Sequence, residues 1–309
     1  MNPVVHAEGL GKTYSGGLRG TPVKALVDFD LTVARGEVFG LLGPNGAGKT
    51  TFIKALLGVI RPTSGRGSLL GLPIGAPESR LRVGYLPEQH RFSAHLTAAQ
   101  ALDTYGRLAG MDAATRASES RRLLERVTLA DWADVKVRKF SKGMMQRLGL
   151  AQALMGDPEL VILDEPTDGV DPIGRKEIRE IVTWLAGTGC TIFLNSHLLS
   201  EVEMVCTRVA IMNKGRLVSE GTVADLTAAP AAYEAVATPV EALPEGVTHD
   251  GASPWARYRI AAQSPEEMTT KLAALIQAGA QIREVQPGKR SLEQAFVDIV
   301  TDKPSGEAA

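Results

Sequence analysis

The sequence predicts an α/β protein: a mixed, largely parallel sheet with helices, an antiparallel β region, a helical subdomain and a small C-terminal α+β module. Three observations lead to this fold class. Short apolar β-type runs alternate with helical patterns up to about residue 226, which is typical of a parallel sheet with helical crossovers. An alanine- and proline-rich stretch then interrupts the alternation. The length of 309 residues suits one large domain and one small one.

The large domain is predicted to span residues 1–228. Its first part, "VVHAEGL" and "VKALVDFDLTVARGE", is typical of an antiparallel hairpin region. The main sheet is expected to comprise "GEVFGLL", "LVILD", "CTIFLNS" and "RVAIMNKGRLV", and its helices "TFIKALLGVI", "QRLGLAQALM" and "GRKEIREIVTWLA". From about residue 90 to 155 the sequence is helical in texture, as in "AAQALDTYGRLAG", so we expect the helical subdomain there.

The small domain is predicted to span residues 229–309, after a boundary in "TAAPAAYEAVATPVEALPEGV". Its expected strands are "WARYRIAA" and "QIREVQP". A helix in "SPEEMTTKLAALIQAG" has Ser264 as its cap, Pro265 at its first position, Glu267 to complete a capping box and Gly279 at its end. Its apolar face comprises Met268, Leu272, Leu275 and Ile276. "SLEQAFVDIV" is expected to be a second capped helix, followed by a frayed polar end.

Composition gives little support to several classes of function, although it leaves room for a local basic patch. The 34 basic and 35 acidic residues nearly cancel, so the chain offers no global argument for binding nucleic acid. Cys190 and Cys206 stand in no CxxC or Cys/His cluster, and we expect small buried side chains in a reducing cytosol. The N-terminus lacks the pattern of a signal peptide, and no window reaches the ~18 apolar residues that span a bilayer. A membrane role therefore requires another chain.

The segment "GPNGAGKT", from Gly43 to Thr50, follows an expected strand and precedes an expected helix. It fits G-x-x-x-x-G-K-[ST], a loop whose backbone N–H groups and helix N-terminus bind phosphate. Lys49 is expected to face the terminal phosphates and Thr50 to offer its hydroxyl to Mg²⁺. The predicted nucleotide-binding residues of this segment are Gly43, Pro44, Asn45, Gly46, Ala47, Gly48, Lys49, Thr50 and Thr51.

A second acidic site follows another apolar run. "LVILDEP" ends in Asp164 and Glu165, and a central parallel strand places such an end at the carboxyl edge of the sheet, where α/β folds bind ligands. Asp164 is expected to hold Mg²⁺ directly or through water. Glu165 is expected to orient or deprotonate the attacking water.

These segments resemble those of the ATP-binding subunit of ABC transporters, a P-loop ATPase family, and the resemblance covers about residues 4–226. "FSKGMMQRLGLAQAL" is similar to the family's signature motif, with Ser141 and Gly143 retained and Lys142 in place of the first glycine. That serine-lysine-glycine-methionine variant is familiar in exporter-type members. The resemblance implies that Ser141 and Gly143 grip the γ-phosphate of an ATP bound to a second subunit.

The resemblance also assigns four residues outside these motifs. Gln89 in "LPEQH" matches the glutamine that senses Mg²⁺ and water. His197 in "NSHLLSEVE" matches the histidine that contacts the γ-phosphate, and Tyr14 in "LGKTY" the aromatic side chain that stacks on adenine. Asp168 begins "DGVDP", which matches the loop that contacts the other subunit, although aspartate is less common there.

The family mechanism implies partners. Two ATP molecules would be sandwiched between two ATP-binding subunits, a homodimer being expected, and hydrolysis would drive a transmembrane permease carried on a separate chain. The helical subdomain would contact that permease, at the cytoplasmic face of the cell membrane. The "SKGM" variant and the C-terminal "SLEQAFVDIV" are similar to exporter-type members, although importers use the same cassette.

Two alternative functions are less consistent with the sequence. A soluble ABC-type ATPase acting on nucleic acid or ribosomes is disfavoured, because the chain carries one phosphate loop and one signature, about 90 residues apart. The translation-associated members carry two cassettes, and the DNA-repair members long coiled coils. A degenerate regulator that does not hydrolyse ATP is disfavoured because Lys49, Gln89, Glu165 and His197 are all present.

Overall fold

The computed structural model describes residues 3–16, 20–240, 242–250, 254–262 and 264–301. The chain divides into two compact units, Met1–Thr222 and Val223–Ala309. This division precedes the boundary predicted at residue 228 by a few positions. The helix Val223–Thr227 belongs to the second unit, where Arg290 Nε donates a hydrogen bond to the carbonyl of Leu226 at 3.1 Å.

The first unit contains the following elements among its described residues. The strands are β1 (Val5–Gly16), β2 (Gly20–Val33), β3 (Val38–Leu42), β4 (Ser64–Leu69), β5 (Leu72–Pro73), β6 (Val83–Leu86), β7 (Leu160–Asp164), β8 (Thr191–Asn195), β9 (Arg208–Asn213) and β10 (Arg216–Thr222). The helices are α1 (Lys49–Leu56), α2 (Pro77–Arg80), α3 (Ala98–Leu108), α4 (Ala113–Arg126), α5 (Lys142–Ala153), α6 (Pro172–Gly187) and α7 (Leu199–Val205).

The main sheet has the strand order β10-β9-β3-β8-β7-β6, and its strands are parallel except for the edge strand β10. The strands β3, β7 and β8 are buried at every position, as expected for apolar runs covered on both faces. Because β3 lies between β8 and β9, and β7 next to β8, the ends of β3, β7 and β8 meet at one edge. The α/β fold class predicted from the alternating runs is confirmed.

The antiparallel region forms a second sheet of order β2-β1-β4-β5, with β1 paired to both β2 and β4. Aromatic side chains join it to the main sheet. The ring of Phe29 on β2 lies 4.8 Å from that of Phe52 on α1, and Phe52 lies 6.1 Å from Phe193 on β8. The helix α1, which follows the phosphate loop, is therefore held between the two sheets by a common apolar core.

The helices α3, α4 and α5 pack against one another within the segment expected to be helical. Their first residues are fixed by side-chain caps. Thr97 forms a capping box with Gln100, and Asp112 accepts from the backbone N–H of Thr115 at 3.0 Å. Ser141 caps α5, its hydroxyl accepting from Met144 N at 3.3 Å.

The second unit contains α8 (Val223–Thr227), β11 (Ala228–Ala237), β12 (Val247–Asp250), β13 (Ala256–Ala261), α9 (Pro265–Gln277), β14 (Ile282–Lys289) and α10 (Leu292–Thr301). Its sheet has the order β12-β13-β11-β14. Ser264 caps α9 as predicted, accepting from Glu267 N at 3.2 Å. Ile276, expected on the buried face of α9, is 56% exposed, whereas the preceding Leu275 is fully buried. The frayed end expected beyond Thr301 lies outside the described residues.

Among the described residues, no helix combines the length and apolar character needed to cross a membrane. Cys190 and Cys206 are free and buried, as expected. Burial raises the pKa of the Cys190 thiol to about 11, so this side chain behaves as a packing residue and not as a nucleophile.

Candidate functional site

The phosphate loop connects the buried strand β3 to α1, and its glycines are required by close backbone contacts. Gly48 precedes α1 with a φ of 112°, and a Cβ atom there would lie 2.3 Å from the carbonyl oxygen of Ala25. A Cβ atom on Gly43 would lie 2.3 Å from the carbonyl oxygen of Met212. The loop is thus pressed against two other strands, and its N–H groups stay uncovered by side chains at the start of a helix.

Lys49 is held in this loop by hydrogen bonds to the backbone. Its Nζ donates to the carbonyl of Gly43 at 2.5 Å and of Pro44 at 3.3 Å, and the residue is only 7% exposed. Burial lowers the pKa of Lys49, and the carboxylates of Glu165 and Asp164 oppose that effect. The ammonium group is therefore a preorganised positive charge in a place of restricted solvent.

The acidic end of β7 lies beside the end of β8, where Asp164 is directly opposite Asn195. Asn195 Nδ2 donates to Asp164 Oδ1 at 2.5 Å, and Asp164 is 1% exposed. Burial raises the pKa of Asp164, while the bond from Asn195 partly offsets this. Tyr85 on β6 also hydrogen-bonds to Asp164, and burial raises the pKa of that phenol. The polar edge therefore presents a carboxylate fixed from two neighbouring strands.

Glu165 and His197 form the next pair along this edge. Glu165 Oε2 lies 2.7 Å from His197 Nδ1 and accepts from the backbone N–H of His197 at 3.2 Å. Burial raises the pKa of Glu165, and His197 lowers it in part. Glu165 has a φ of 54°, in the left-handed region that side chains other than glycine rarely adopt. Its strained turn aims the carboxylate at the histidine, as often occurs at functional sites.

A cavity of about 600 Å³ lies between the phosphate loop and this acidic edge. Its walls combine the loop, the two sheet ends and part of β2. The lining residues are Val23, Lys24, Ala25, Asn45, Gly46, Ala47, Gly48, Lys49, Thr50, Thr51, Glu88, Glu165, Asp168, Asn195 and His197. The structure thus brings together most of the phosphate-loop residues with Glu165 and His197. Both of these side chains lie more than 100 positions after the loop in the sequence.

Several residues singled out in the sequence lie outside the lining of this cavity. Gln89 is exposed and does not line it, whereas the adjacent Glu88 does. Tyr14 is 39% exposed and pairs across the strands with Val23, a lining residue. Glu88 was missed because the sequence match relied on the identity of a glutamine. No local sequence signal indicates which of residues 88 and 89 directs its side chain towards the cavity.

Ser141 and Gly143 also lie outside the cavity lining, at the start of α5. Ser141 is exposed and Gly143 half-buried, so the cap leaves one side of the serine hydroxyl open. The neighbouring Lys142 forms an ion pair with Asp168, at 3.0 Å between Nζ and Oδ2. The beginning of α5 is thereby linked to a residue of the cavity wall.

The cavity suits a polyphosphate accompanied by a divalent cation. Side chains at Gly43 and Gly48 would collide with the carbonyl oxygens of Met212 and Ala25, so glycine keeps the loop in this shape. The loop N–H groups and Lys49 supply donors for phosphate oxygens. Opposite them, Asp164 and Asn195 supply oxygen ligands, and Asn195 Oδ1 is buried with no hydrogen-bond partner among the described residues. Carboxylate, amide and hydroxyl oxygens are the donors that Mg²⁺ prefers.

The raised pKa of Glu165 predicts a pH-dependent cost to stability. A carboxyl whose pKa is higher in the folded than in the unfolded chain destabilises the fold once pH exceeds the folded value, and this cost disappears below the ordinary value of 4.5. Glu165→Gln is therefore expected to raise the Tm at pH 7.5 in EDTA without nucleotide, by about 2–4 °C for each kcal/mol of cost removed. The gain should shrink as pH falls, in thermal melts from pH 7.5 to 5.

Exposed Glu180 supplies the matched control for that measurement, because its carboxylate lies on the surface of α6 with its side chain 65% exposed. Glu180→Gln should leave the Tm nearly unchanged across the same pH range. An equal, pH-independent gain in both variants would show that burial of the Glu165 carboxylate is not the cause.

Comparison with known proteins agrees with this geometry. A family profile described as ABC transporter matches residues 26–168. An uncharacterized ABC transporter ATP-binding protein of Synechocystis sp. is 46% identical over 236 residues, covering 75% of this chain and 67% of the relative. The Nod factor export ATP-binding protein I of Cupriavidus metallidurans is 42% identical over 196 residues, covering 63% of this chain and 65% of the relative.

Among solved structures, a dimeric ATP-binding cassette in a post-hydrolysis state, bound to ADP and phosphate, superposes with a TM-score of 0.65. The match covers 71% of this chain and 98% of that one at 22% identity, which is a likeness of fold. The relatives, the family profile and the phosphate-loop site agree. The chain therefore belongs to the ATP-binding proteins of ABC transporters and is an ATPase.

Proposed function

We propose that this protein is the motor subunit of an exporter. Two copies would close around two ATP molecules, and hydrolysis would drive a transmembrane permease carried on a separate chain. The observation that carries the proposal is the cavity that joins the phosphate loop and Lys49 to the Glu165–His197 pair. This arrangement supports the proposal, because cleaving a terminal phosphate with water requires a phosphate cradle opposite a group that can act as a general base.

The residues that line the cavity or lie beside it have proposed roles. Lys49 and the loop N–H groups bind the phosphates, with Gly43, Pro44, Asn45, Gly46, Ala47, Gly48 and Thr51 shaping the loop. Thr50, Asp164 and a side chain of the 88–89 turn would hold Mg²⁺, which when bound neutralises charge on the phosphates. Glu165 takes a proton from, or orients, the attacking water, and His197 both positions Glu165 and faces the γ-phosphate. Tyr14 stacks on adenine.

The proposed dimer rests on the position of the signature segment. Ser141 and Gly143 lie outside the chain's own cavity and expose the start of α5. A hydroxyl and a bare backbone at a helix N-terminus are suited to an anion. The nucleotide they would meet is therefore that of a second copy, and the solved cassette with the same fold is a dimer.

The proposed permease contact is supported by a groove on the helical part of the first unit. This groove, of about 920 Å³, runs between α3 and α4. Its apolar lining residues are Leu96, Ala99, Ala117, Leu124, Ala130 and Ala133. Asp103, in ion pairs with Arg107 and Arg116, forms a charged rim. Such a groove fits a short amphipathic helix, so the protein would bind the cytoplasmic face of the membrane through its permease, with no role for nucleic acid.

The direction of transport is proposed from the relatives. The matched Cupriavidus protein is named for export of Nod factors, and its identity of 42% extends over 196 residues. The Ser141-Lys142-Gly143-Met144 sequence of the signature is the variant associated above with exporter-type members. Both observations favour export over import.

The test is a pull-down from native membranes. Tagged Glu165→Gln protein, with ATP and Mg²⁺ to hold the closed state, should retain one polytopic membrane protein. Glu165→Gln/Lys49→Ala, which is expected to lose ATP, is the matched control and should retain less of it. Recovery of ribosomal or DNA-associated proteins with no membrane protein would overturn the transporter proposal.

The two residues of the 88–89 turn predict different outcomes on substitution. Because Glu88 lines the cavity and contributes to the electrostatic environment of Lys49 and Asp164, Glu88→Ala is expected to change the Mg²⁺ concentration needed for half-maximal ATPase activity about ten-fold. Gln89→Ala should change it less than about two-fold. The reverse ranking, in a Mg²⁺ titration of phosphate release, would restore Gln89 as the metal-sensing residue.

A further inference from the structure

An ion pair between Lys142 and Asp168 joins two parts of the protein that the ATPase cycle uses separately. Lys142 is the first residue of α5, and Asp168 lines the nucleotide cavity. The Lys142 Nζ and Asp168 Oδ2 atoms are 3.0 Å apart, with the two side chains 55% and 49% exposed. The cavity wall contributes the negative charge of Asp168 to this contact, and the start of α5 contributes the positive charge of Lys142.

The placement of each charge alone is electrostatically unfavourable. Asp168 faces a cavity whose loop and Lys49 are built for an anion, so its carboxylate would repel bound phosphate. Lys142 stands at the N-terminal end of a helix, where a positive charge opposes the helix dipole. Brought together, the two charges cancel, and the carboxylate also lies near the helix end that favours an anion.

The local backbone is adapted to this pair. Gly169 has a φ of 62°, and a Cβ atom on it would lie 2.0 Å from Lys142 Nζ and 2.9 Å from its Cε. The lysine side chain thus runs directly over Gly169, and the positive φ of Gly169 favours glycine at this position. Asp168 N in turn donates to the carbonyl of Glu165 at 3.2 Å. The turn that carries the general base therefore also carries the partner of Lys142.

We propose that Lys142 is the counter-ion of Asp168: it neutralises this carboxylate in the wall of the nucleotide cavity and so permits tight binding of polyphosphate. Lys142 is a positioning residue that acts through Asp168 and does not itself touch the nucleotide of its own chain. The proposal deepens the proposed function and rests on the nucleotide occupying this cavity.

The test is a double-mutant cycle on the affinity for a fluorescent ADP derivative, which cannot be hydrolysed and lacks the γ-phosphate that would bridge two chains. Lys142→Met keeps the length of the side chain and removes its charge. It is expected to weaken ADP binding about two- to five-fold at low salt, the range of an exposed ion pair. Asp168→Asn should bind ADP at least as tightly as the wild type.

The double variant decides between the mechanisms. If Lys142 acts through Asp168, Lys142→Met should have no effect in the Asp168→Asn background, so the lost affinity is restored. An equal loss in both backgrounds, or no loss in the single variant, overturns the proposal. The effect should also shrink at high salt, because exposed charges are screened.

Two controls separate this inference from its foundation. Lys176→Met removes a lysine of similar exposure from an ion pair on α6 and should leave ADP affinity unchanged. Lys49→Ala should lose ADP affinity. If Lys49→Ala binds ADP normally, the cavity is not the nucleotide site and the proposed function fails. If Lys49→Ala loses ADP and Lys142→Met does not, the counter-ion role alone fails.

Discussion

Glu165→Gln is expected to lower ATP turnover by at least about a hundred-fold while leaving ATP binding intact, since a positioned general base contributes about 10²- to 10⁴-fold to rate. Glutamine has the shape of glutamate and keeps the hydrogen bond to the backbone of His197, but it cannot accept a proton from water. The buried carboxylate also has a raised pKa, which suits a base better than the ordinary value does.

Phosphate release and binding of a fluorescent ATP derivative measure the two properties separately. Glu180→Gln, an exposed change on α6, is the matched control and should retain normal turnover. Full activity of Glu165→Gln would remove Glu165 from the chemical step and assign the base to another group. A parallel loss of ATP binding would instead indicate a role in holding the ligand.

Lys49→Ala is expected to weaken ATP binding about ten- to a hundred-fold, the range of one hydrogen bond to a charged group. The reason is the position of the ammonium group, which is buried in the loop and held there by the carbonyls of Gly43 and Pro44. The measurement is a direct titration of ATP. The loss should be larger for ATP than for AMP, because the ammonium faces the terminal phosphates.

Lys54 supplies the control for Lys49, because it lies one and a half turns further along α1 and is exposed. Lys54→Ala should bind ATP as the wild type does. An equal loss in both variants would show that net charge near the cavity, and not the position of the Lys49 ammonium, determines affinity.

The main sheet and the phosphate loop could be predicted because local and tertiary signals agree there. The runs that form β3, β7 and β8 are mostly apolar, with polar residues only at the ends of β7 and β8, and such runs are typical of strands buried on both faces. The loop glycines directly follow the buried strand and precede a helix, and this order predicts a phosphate-binding turn at the start of the helix. Glu165 and His197 were each predicted separately, but their contact at 2.7 Å required the order of β7 and β8 in the sheet.

The small unit shows where local signals fail. The alanine- and proline-rich stretch was interpreted as a break, yet Ala228–Ala237 forms the central strand β11. Its alanines lack the β-branched signal of a strand, but Ala235 and Ala237 are fully buried against the partner strands. The pairing with β14 is irregular between Ala228 and Tyr233, the interval that contains Pro230. Tertiary packing therefore overrides the weak local preference.

The prediction for Gln89 in the 88–89 turn depends on a different kind of information. Both Glu88 and Gln89 are polar and exposed, and the choice between them depends on which side chain the turn directs to the cavity. A shift of one position in an irregular segment changes the direction of a side chain without changing the hydrophobic pattern. Sequence periodicity carries no information about such a choice.

The left-handed backbone of Glu165 has a consequence for engineering this protein. Standard rules for stabilising a chain replace a residue at φ 54° with glycine or asparagine, because both adopt this conformation at lower cost. They also replace a buried carboxylate with a neutral side chain. Both rules select against glutamate here, so any screen for heat resistance alone would favour variants that have lost the proposed catalytic base.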